Sequence, residues 1–457
     1  MATNKKHKNE VLLIEPFLER RCYDDFGGIY QVPNTILCLG SFLNERKIHV
    51  KIFSMGYETK HKRKFEEKVL RNYLNKNNPK IVGFTSYTEL YENVKRLAAI
   101  VKNFNPNTKI IIGGHHAMHQ PAEVLESGLF DAVFIGEGEK ALEEYSRKVF
   151  SEESTTNIHG IAFLGDNKKV VINPARPRLR GEEIPTPDYT LLPKELVKHS
   201  NKWLLTTRGC PYACSFCSSN AQYRRKVITR PLSSVKEEIE NLAKKYGTKE
   251  LMITDSTFQS RRDFKEFMEI LKELNMKYGI EYTAQTRADN VVNKPEQLKI
   301  MKASGVTSLT IGAESASQKV LDAMNKMSSY DYVPKALSLI KIVGLEAGTY
   351  WLIGHPGSSR IEEEKTKKAI QDLLERNLSD HYEVKLFLPF PGTRSSKDCR
   401  ISWLDFNFSN FKFDTKTPVH SLTDFPANEI KKIYLEIMKV LNNHGKSNVI
   451  LEKEYPK

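Results

Sequence analysis

The sequence predicts an α/β protein: an N-terminal doubly wound parallel sheet, then a six-unit partial (β/α) barrel and a short helical tail. Two observations predict it. Apolar runs of strand length alternate with amphipathic helical patterns twice over, once before residue 150 and again after residue 200. Between the two series lies a polar, proline-rich stretch that breaks both periods. The expected divisions are a first domain over 1–150, a linker over 151–199, a second domain over 200–395 and a tail over 396–457.

In the first domain, Val11-Leu12-Leu13-Ile14 is a continuous apolar run of the kind a buried parallel strand needs. Further runs follow at His49–Phe53, Ile81–Thr85, Lys109–Gly113 and Ala132–Ile135. Helical patterns at Thr35–Asn44, Phe65–Leu74, Tyr91–Val101 and Glu137–Val149 separate them. Ligands of such sheets bind beyond the carboxyl ends of the strands. Those ends carry Thr85-Ser86-Tyr87-Thr88, then Gly113-Gly114-His115-His116, then Gly136-Glu137-Gly138-Glu139. Glycine there permits positive φ and close approach of a bulky ligand, although each turn alone is also an ordinary strand-to-helix connection.

The connector holds Asn173-Pro174-Ala175-Arg176-Pro177 and Ile184-Pro185-Thr186-Pro187-Asp188-Tyr189, with one small hairpin expected at Ile158–Leu164 and Val170–Asn173. The second series opens on Trp203-Leu204-Leu205. Ser234-Val235-Lys236-Glu237 reads as a capping box for a helix that Gly247 ends. Strands follow at Leu251–Thr254, Glu281–Gln285, Ser308–Gly312, Gly348–Ile353 and Glu383–Leu388, with helices at Phe264–Leu274, Pro295–Ala303 and Tyr332–Ile342 between them. Asp255, Arg287 and Glu314 each stand one or two positions past an apolar strand, where a barrel places its active site. A charge there needs a partner, so an internal ion network is the alternative to a ligand contact.

Length, charge and cysteine count exclude several classes. Hydrophobic content is 40%, and no run approaches the length of a membrane span. The N-terminus is basic but leads straight into a strand, without a signal peptide's apolar core. A cytoplasmic protein with no membrane partner is expected. The net charge is +14, yet the lysines are dispersed among glutamates and form no basic block, so no nucleic-acid partner is expected.

Three of the six cysteines stand together in Thr206-Thr207-Arg208-Gly209-Cys210-Pro211-Tyr212-Ala213-Cys214-Ser215-Phe216-Cys217. Three thiolates on one loop reach one metal centre. A 4Fe–4S cluster takes four ligands, so three leave one iron open to a substrate or cofactor. A zinc knuckle is the alternative, but it needs a fourth ligand, and no histidine occurs in the next dozen residues. Cys22, Cys38 and Cys399 are isolated and read as small hydrophobes.

This spacing after a strand resembles the signature of the radical S-adenosylmethionine (SAM) enzymes. The resemblance implies that Cys210, Cys214 and Cys217 bind a 4Fe–4S cluster whose open iron chelates SAM. It places Phe216 near adenine and makes Arg287 a candidate for the SAM carboxylate. Ile311-Gly312-Ala313-Glu314-Ser315 looks like the family's fourth-strand motif, with Glu314 on SAM, and Trp351-Leu352-Ile353-Gly354-His355-Pro356-Gly357 looks like its fifth-strand motif near adenine. Asp255 joins this candidate set. The Gly-Gly-x-His and Gly-Glu-Gly-Glu turns resemble the cobalamin-binding domain that precedes the barrel in one subfamily, and Pro-x-Pro-Asp-Tyr resembles its linker. That implies that Ser86, Thr88, Gly113, Gly114, His116, Gly136 and Glu137 line a cobalamin. The cobalamin mutases carry D-x-H-x-x-G after their first strand. Here Glu15-Pro16-Phe17-Leu18-Glu19 holds no histidine, so no lower cobalt ligand is expected from this loop. A turn histidine, His115 or His116, packing on the corrin edge or nucleotide tail is the expectation instead.

The resemblance implies a cobalamin-dependent radical SAM methyltransferase acting on an unactivated carbon of a small metabolite or natural-product precursor, with a modified peptide next. A flavodoxin or ferredoxin is the expected electron donor. Ring contraction or cyclisation without methyl transfer is the second expectation, and a cobalamin-sensing binding protein with a structural cluster the third. Tyr23, Asp24, Asp25 and Tyr30, after the first strand, are candidates to face the substrate.

Overall fold

Val11, Leu12 and Ile14 are wholly buried at the centre of the first sheet, as a strand covered on both faces requires. They belong to a computed structural model that describes residues 8–17, 30–60, 62–404, 408–412 and 415–446. The expectations on Cys22, Tyr23, Asp24 and Asp25 lie outside those residues. The chain forms two units, Met1–Asn201 and Lys202–Lys457.

The first unit holds β1 (Lys8–Glu15), α1 (Asn34–Glu45), β2 (Val50–Ser54), α2 (Glu66–Asn77), β3 (Pro79–Thr85), α3 (Tyr91–Phe104), β4 (Lys109–Gly113), β5 (Ala132–Phe134), α4 (Glu139–Phe150), β6 (Ile161–Leu164) and β7 (Val170–Ile172). Its seven strands lie in the order β2-β1-β3-β4-β5-β6-β7. The chain winds outward from β1 to β2, then crosses to β3 on the other side, so the switch point lies between β1 and β3. The first five strands are parallel. The hairpin β6–β7 is antiparallel and extends the sheet through Val133 opposite Ala162. Ile161 and Ala162 are buried and drive that pairing, while Ile172 on the edge strand is 58% exposed.

The second unit holds β8 (Trp203–Leu204), α5 (Ser218–Tyr223), α6 (Leu232–Tyr246), β9 (Glu250–Ile253), α7 (Phe264–Tyr278), β10 (Glu281–Thr286), α8 (Glu296–Ala303), β11 (Val306–Glu314), α9 (Gln318–Ala323), α10 (Tyr332–Ile342), β12 (Glu346–Ile353), α11 (Arg360–Glu375), β13 (His381–Leu386) and α12 (Ala427–Asn443). Strands β8 to β13 pair in strict sequence order, each parallel to the last, as six strand–helix units dictate. The capping box expected at Ser234 does not form. Pro231 holds the N-cap, so α6 starts earlier, and Ser234 Oγ instead accepts a bond from Arg230 at 2.9 Å. Gly247 ends α6 at φ 66°.

The tail helix α12 buries Ile430, Ile433, Tyr434, Ile437 and Leu441. Glu436 on it bonds Arg360 at 2.8 Å and Lys367 at 2.7 Å, both on α11. The tail thus completes the barrel unit, and its apolar stripe is consumed in doing so.

Candidate active site

The loop from Thr206 to Cys217 is held from several directions. At its start, Asp255 is fully buried and accepts bonds from the Thr206 and Thr207 amides at 2.6 and 2.9 Å and from the Thr206 hydroxyl. Burial raises the Asp255 carboxyl and these donors pull it back down. Gly209 follows at φ 100°, and a Cβ there would collide with the Lys226 carbonyl. Only glycine fits. Cys210 Sγ then lies 3.5 Å from Thr257 Oγ1.

The middle of the loop is pinned by three other segments. Asn325 Nδ2 donates to the Ala213 carbonyl at 2.8 Å, and Arg394 donates to the same oxygen. The Ser215 amide donates to the Met324 carbonyl at 2.8 Å, and the Ser395 amide to the Ser215 carbonyl at 3.0 Å. The Ser395 hydroxyl joins Ser215 Oγ and His355 Nε2, each at 2.8 Å. Burial holds His355 down to about 3, so its imidazole is neutral. Phe216 meets the His355 ring edge-on at 6.3 Å.

Cys210, Cys214 and Cys217 are all free and partly exposed. Burial pushes the Cys214 and Cys217 thiols up, against Lys326 and Arg287 beside Cys214 and the Asn220 amide beside Cys217. Among the described residues no three His, Cys, Asp or Glu side chains are gathered tightly enough for a single metal ion. A cubane puts each thiolate on a different iron, so its sulfurs stand further apart than the ligands of one ion. A pinned loop carrying three free thiols that interact electrostatically with one another fits the cluster. Thiolate ligation would release their protons.

Around the strand ends, Arg287 is paired with Asp289 at 2.9 Å, donates to the Lys326 carbonyl at 2.8 Å, and stacks on Tyr212 with 3.8 Å to the ring centroid. Tyr212 in turn donates to Asn290 at 2.9 Å. Glu314, at φ 62° after a bulge in β11, takes the Lys326 ammonium at 2.7 Å. Gly354, at φ 84°, donates its amide to Glu363 at 2.9 Å and accepts from His420 Nε2 at 2.9 Å. The expected residues therefore gather about the loop, but as a bonded network. Asp255 in particular is a positioning residue whose carboxylate is occupied by the loop backbone. Tyr212, Lys326, His355 and Glu363 were not singled out as site residues from the sequence. Two of them carried a signal: Tyr212 by its place between the first two cysteines, and His355 by its place in the fifth-strand motif.

In the first unit, the Ser86 amide bonds the Gly113 carbonyl at 2.9 Å and the His116 amide bonds the Ser86 carbonyl at 3.2 Å. Gly114, at φ 98°, packs on that peptide, where a Cβ would lie 2.6 Å from the Ser86 oxygen. Gly136, at φ 89°, has no atom within 4 Å of where a Cβ would stand. These turns leave backbone accessible to a large ligand. Four of the expected lining side chains, those of Ser86, Thr88, His116 and Glu137, are buried or bonded within the protein. His116 is fully buried with its ring 4.2 Å from that of Tyr91, and Thr88 is buried too. Glu137 accepts the Leu179 amide at 2.8 Å and pairs with Arg178 at 3.5 Å, so it ties down the connector. The half-buried histidine of the turn is His115, whose ring stacks on Tyr87 at 6.0 Å and whose Nδ1 is buried without a hydrogen-bond partner. The open Gly136 turn and this unmatched nitrogen fit a cobalamin.

Residues 204–370 match the Radical SAM superfamily and residues 30–146 match the B12 binding domain. The two domains in one chain define a cobalamin-binding radical SAM enzyme. An uncharacterised methyltransferase of Pyrococcus horikoshii is 31% identical over 366 residues, which cover 79% of this chain and 78% of that protein. The anaerobic magnesium-protoporphyrin IX monomethyl ester cyclase of Rubrivivax gelatinosus is 28% identical over 347 residues, covering 74% of this chain and 61% of the cyclase. The solved radical SAM methyltransferase TsrM from Kitasatospora setae, with cobalamin and a 4Fe–4S cluster bound, has the same fold, with a TM-score of 0.75 at 16% identity over 98% of this chain and 93% of that one. The chain belongs to the cobalamin-binding radical SAM family, whose cofactors are a 4Fe–4S cluster, SAM and cobalamin.

Proposed function

We propose that this enzyme methylates an unactivated carbon of a small metabolite or natural-product precursor. The observation that carries the reading is the pairing, in one chain, of a pinned three-cysteine loop with an open glycine-turn face at the carboxyl ends of a B12-type sheet. The methyltransferase relative at 31% identity favours methyl transfer over other outcomes. The cluster supplies the electron that cleaves SAM, and cobalamin supplies the methyl group.

The chain's own residues position these groups. Cys210, Cys214 and Cys217 would hold the 4Fe–4S cluster. Asp255 and Gly209 set where the loop begins, and His355 with Ser395 sets where Ser215 and Phe216 lie. Arg287 and Lys326 bring cations to the strand ends, where the SAM carboxylate would be met. We place the reaction in the cytoplasm, with a flavodoxin or ferredoxin as electron donor. No helix among the described residues is long and apolar enough to cross a membrane.

Cyclisation without methyl transfer is the second reading, and the relative from Rubrivivax gelatinosus favours it. Anaerobic reconstitution with iron, sulfide and hydroxocobalamin, followed by incubation with SAM and candidate substrates, separates the two. Methylated product with 5′-deoxyadenosine supports methyl transfer. 5′-Deoxyadenosine with an unmethylated, altered substrate supports cyclisation. A triple Cys210/Cys214/Cys217→Ala variant that keeps its iron would sink both.

A further inference from the structure

Each cleavage of SAM consumes one electron, which must reach the cluster from outside the chain. We propose that the outer rim of the cysteine loop is the docking face for an acidic one-electron carrier protein, with Arg224, Arg225, Lys226, Arg394 and Lys397 as its contacts. The inference rests on the cluster-bearing role of this loop argued above.

All five cations are exposed, and they come from two short segments that both touch the loop. Arg225 Nε donates to the Pro211 carbonyl at 3.2 Å, and Arg394 donates to the Ala213 carbonyl. The Lys226 carbonyl lies directly against Gly209. Lys397 closes the turn whose Ser395 holds Ser215. The nearby Asp398 carboxylate does not cancel this charge, because Arg400 grips it at 2.7 and 2.8 Å.

The backbone accounts for how the first segment is presented. Arg224 and Arg225 are both left-handed, at φ 47° and 64°, immediately after α5. Arg224 is the left-handed C-cap with which α5 ends, so the chain turns sharply here and sets three cations in succession at the edge of the loop. Both arginine side chains are exposed.

An anionic protein fits this rim better than RNA does. Single-stranded nucleic acid is held by several aromatic side chains interleaved with cations, whereas here the cations run together in Arg224-Arg225-Lys226 and Arg394-Ser395-Ser396-Lys397 with one flanking aromatic, Tyr223. A compact cationic rim steers an acidic partner and makes its on-rate fall with salt. A docked carrier would stand one hydrogen bond from the peptides between Cys210 and Cys214. One electron would leave the reduced carrier and enter the cluster, oxidising the carrier by one electron, with no bond made or broken and no proton moved.

The test uses the reconstituted full-length holoenzyme and an Arg224→Glu/Lys397→Glu variant, which leaves the arginines that hold loop carbonyls in place. Cluster reduction is followed by anaerobic stopped-flow absorbance, with reduced flavodoxin or photoreduced deazaflavin as donor. The expected result with flavodoxin is a wild-type rate that falls at least about tenfold from low to high salt, and a variant already about tenfold slower at low salt and nearly salt-independent. The deazaflavin rates of the two proteins should agree. A variant that keeps the wild-type flavodoxin rate overturns the proposal, including the case where it loses binding to an RNA probe instead. Equal slowing with deazaflavin also overturns it, since the residues would then act on the loop. A wild-type protein with no cluster absorbance would refute the reading of the loop itself, and that spectrum tells the two failures apart.

Discussion

Lys326 and Glu314 close a 2.7 Å ion pair over the backbone of Gly312, in space that any side chain at 312 would take. A Cβ on Gly312 would lie 2.5 Å from Glu314 Oε1 and 2.9 Å from Lys326 Nζ. The bulge after Gly312 and the left-handed φ of Glu314 bring the carboxylate back across the strand. Lys326, just past α9, also lends its carbonyl to Arg287, so it joins the charged groups of two neighbouring strand ends into one assembly. Gly312→Ala should break the pair. Both side chains are largely buried, and separating them is expected to cost about 2–3 kcal/mol in urea unfolding. SAM affinity of the reconstituted protein, measured by titration calorimetry, should fall at least about tenfold, or about 1.4 kcal/mol. An unchanged affinity would remove this assembly from the SAM site.

Asp255 organises the loop from beneath. Its oxygens serve two amides and a hydroxyl of Thr206 and Thr207, and no water can replace it in a fully buried site. Asp255→Ala leaves those donors unmet, which should cost about 2–4 kcal/mol. Asp255→Asn keeps an acceptor for the amides and should cost less. Iron content after reconstitution should rank wild type, Asn, then Ala. Full iron in the Ala variant would show that the loop finds its cluster without this anchor.

The strands were legible because a parallel strand buried on both faces must be apolar throughout, as Val11–Ile14 and Ile81–Val82 are. The cysteine loop was legible because cluster ligation ties residue type to spacing. What stayed hidden depends on contacts distant in sequence. Glu137 is 42 residues from the Leu179 amide it binds, and His355 is 140 residues from Ser215. No local pattern distinguishes a turn carboxylate that meets a ligand from one that ties down a connector. The hairpin β6–β7 was expected, but its place in the first sheet follows only from the pairing of Val133 with Ala162. His115 and His116 are adjacent, and the turn geometry alone decides which one enters the core.

That choice is testable. His116 is sealed against Tyr91, and burial holds it down to about 3, so it is a neutral core group. His115 is held down to about 4, first by burial and then by His119, and it remains at the turn. His116→Ala should destabilise the protein by about 2–3 kcal/mol through loss of the buried ring. His115→Ala should leave the unfolding midpoint within about 0.5 kcal/mol of wild type. It should weaken hydroxocobalamin retention, read as cobalt per chain after gel filtration, and shift the absorption of the bound corrin. The reverse pattern would return His116 to the ligand surface.

Glu363 should make the barrel unit sensitive to pH. It is wholly buried, with Oε1 accepting from the Gly354 amide at 2.9 Å and the Ser358 hydroxyl at 2.7 Å, and Oε2 buried without a partner. Burial raises its carboxyl to about 7, against the donors that lower it. An acid raised on folding stabilises fully below its unfolded value near 4.5, and that contribution is lost as pH climbs toward 7. His355 and His420, lowered by burial, act in the opposite sense, but they are common to wild type and variant. Glu363→Gln mimics the protonated acid at every pH. Relative to that variant, wild type should lose up to about 3 kcal/mol between pH 5 and pH 8, at about 1.4 kcal/mol per pKa unit. The Gly354 amide should exchange faster with solvent over the same window in wild type alone. Parallel stability curves for the two proteins would mean that Glu363 is ionised throughout.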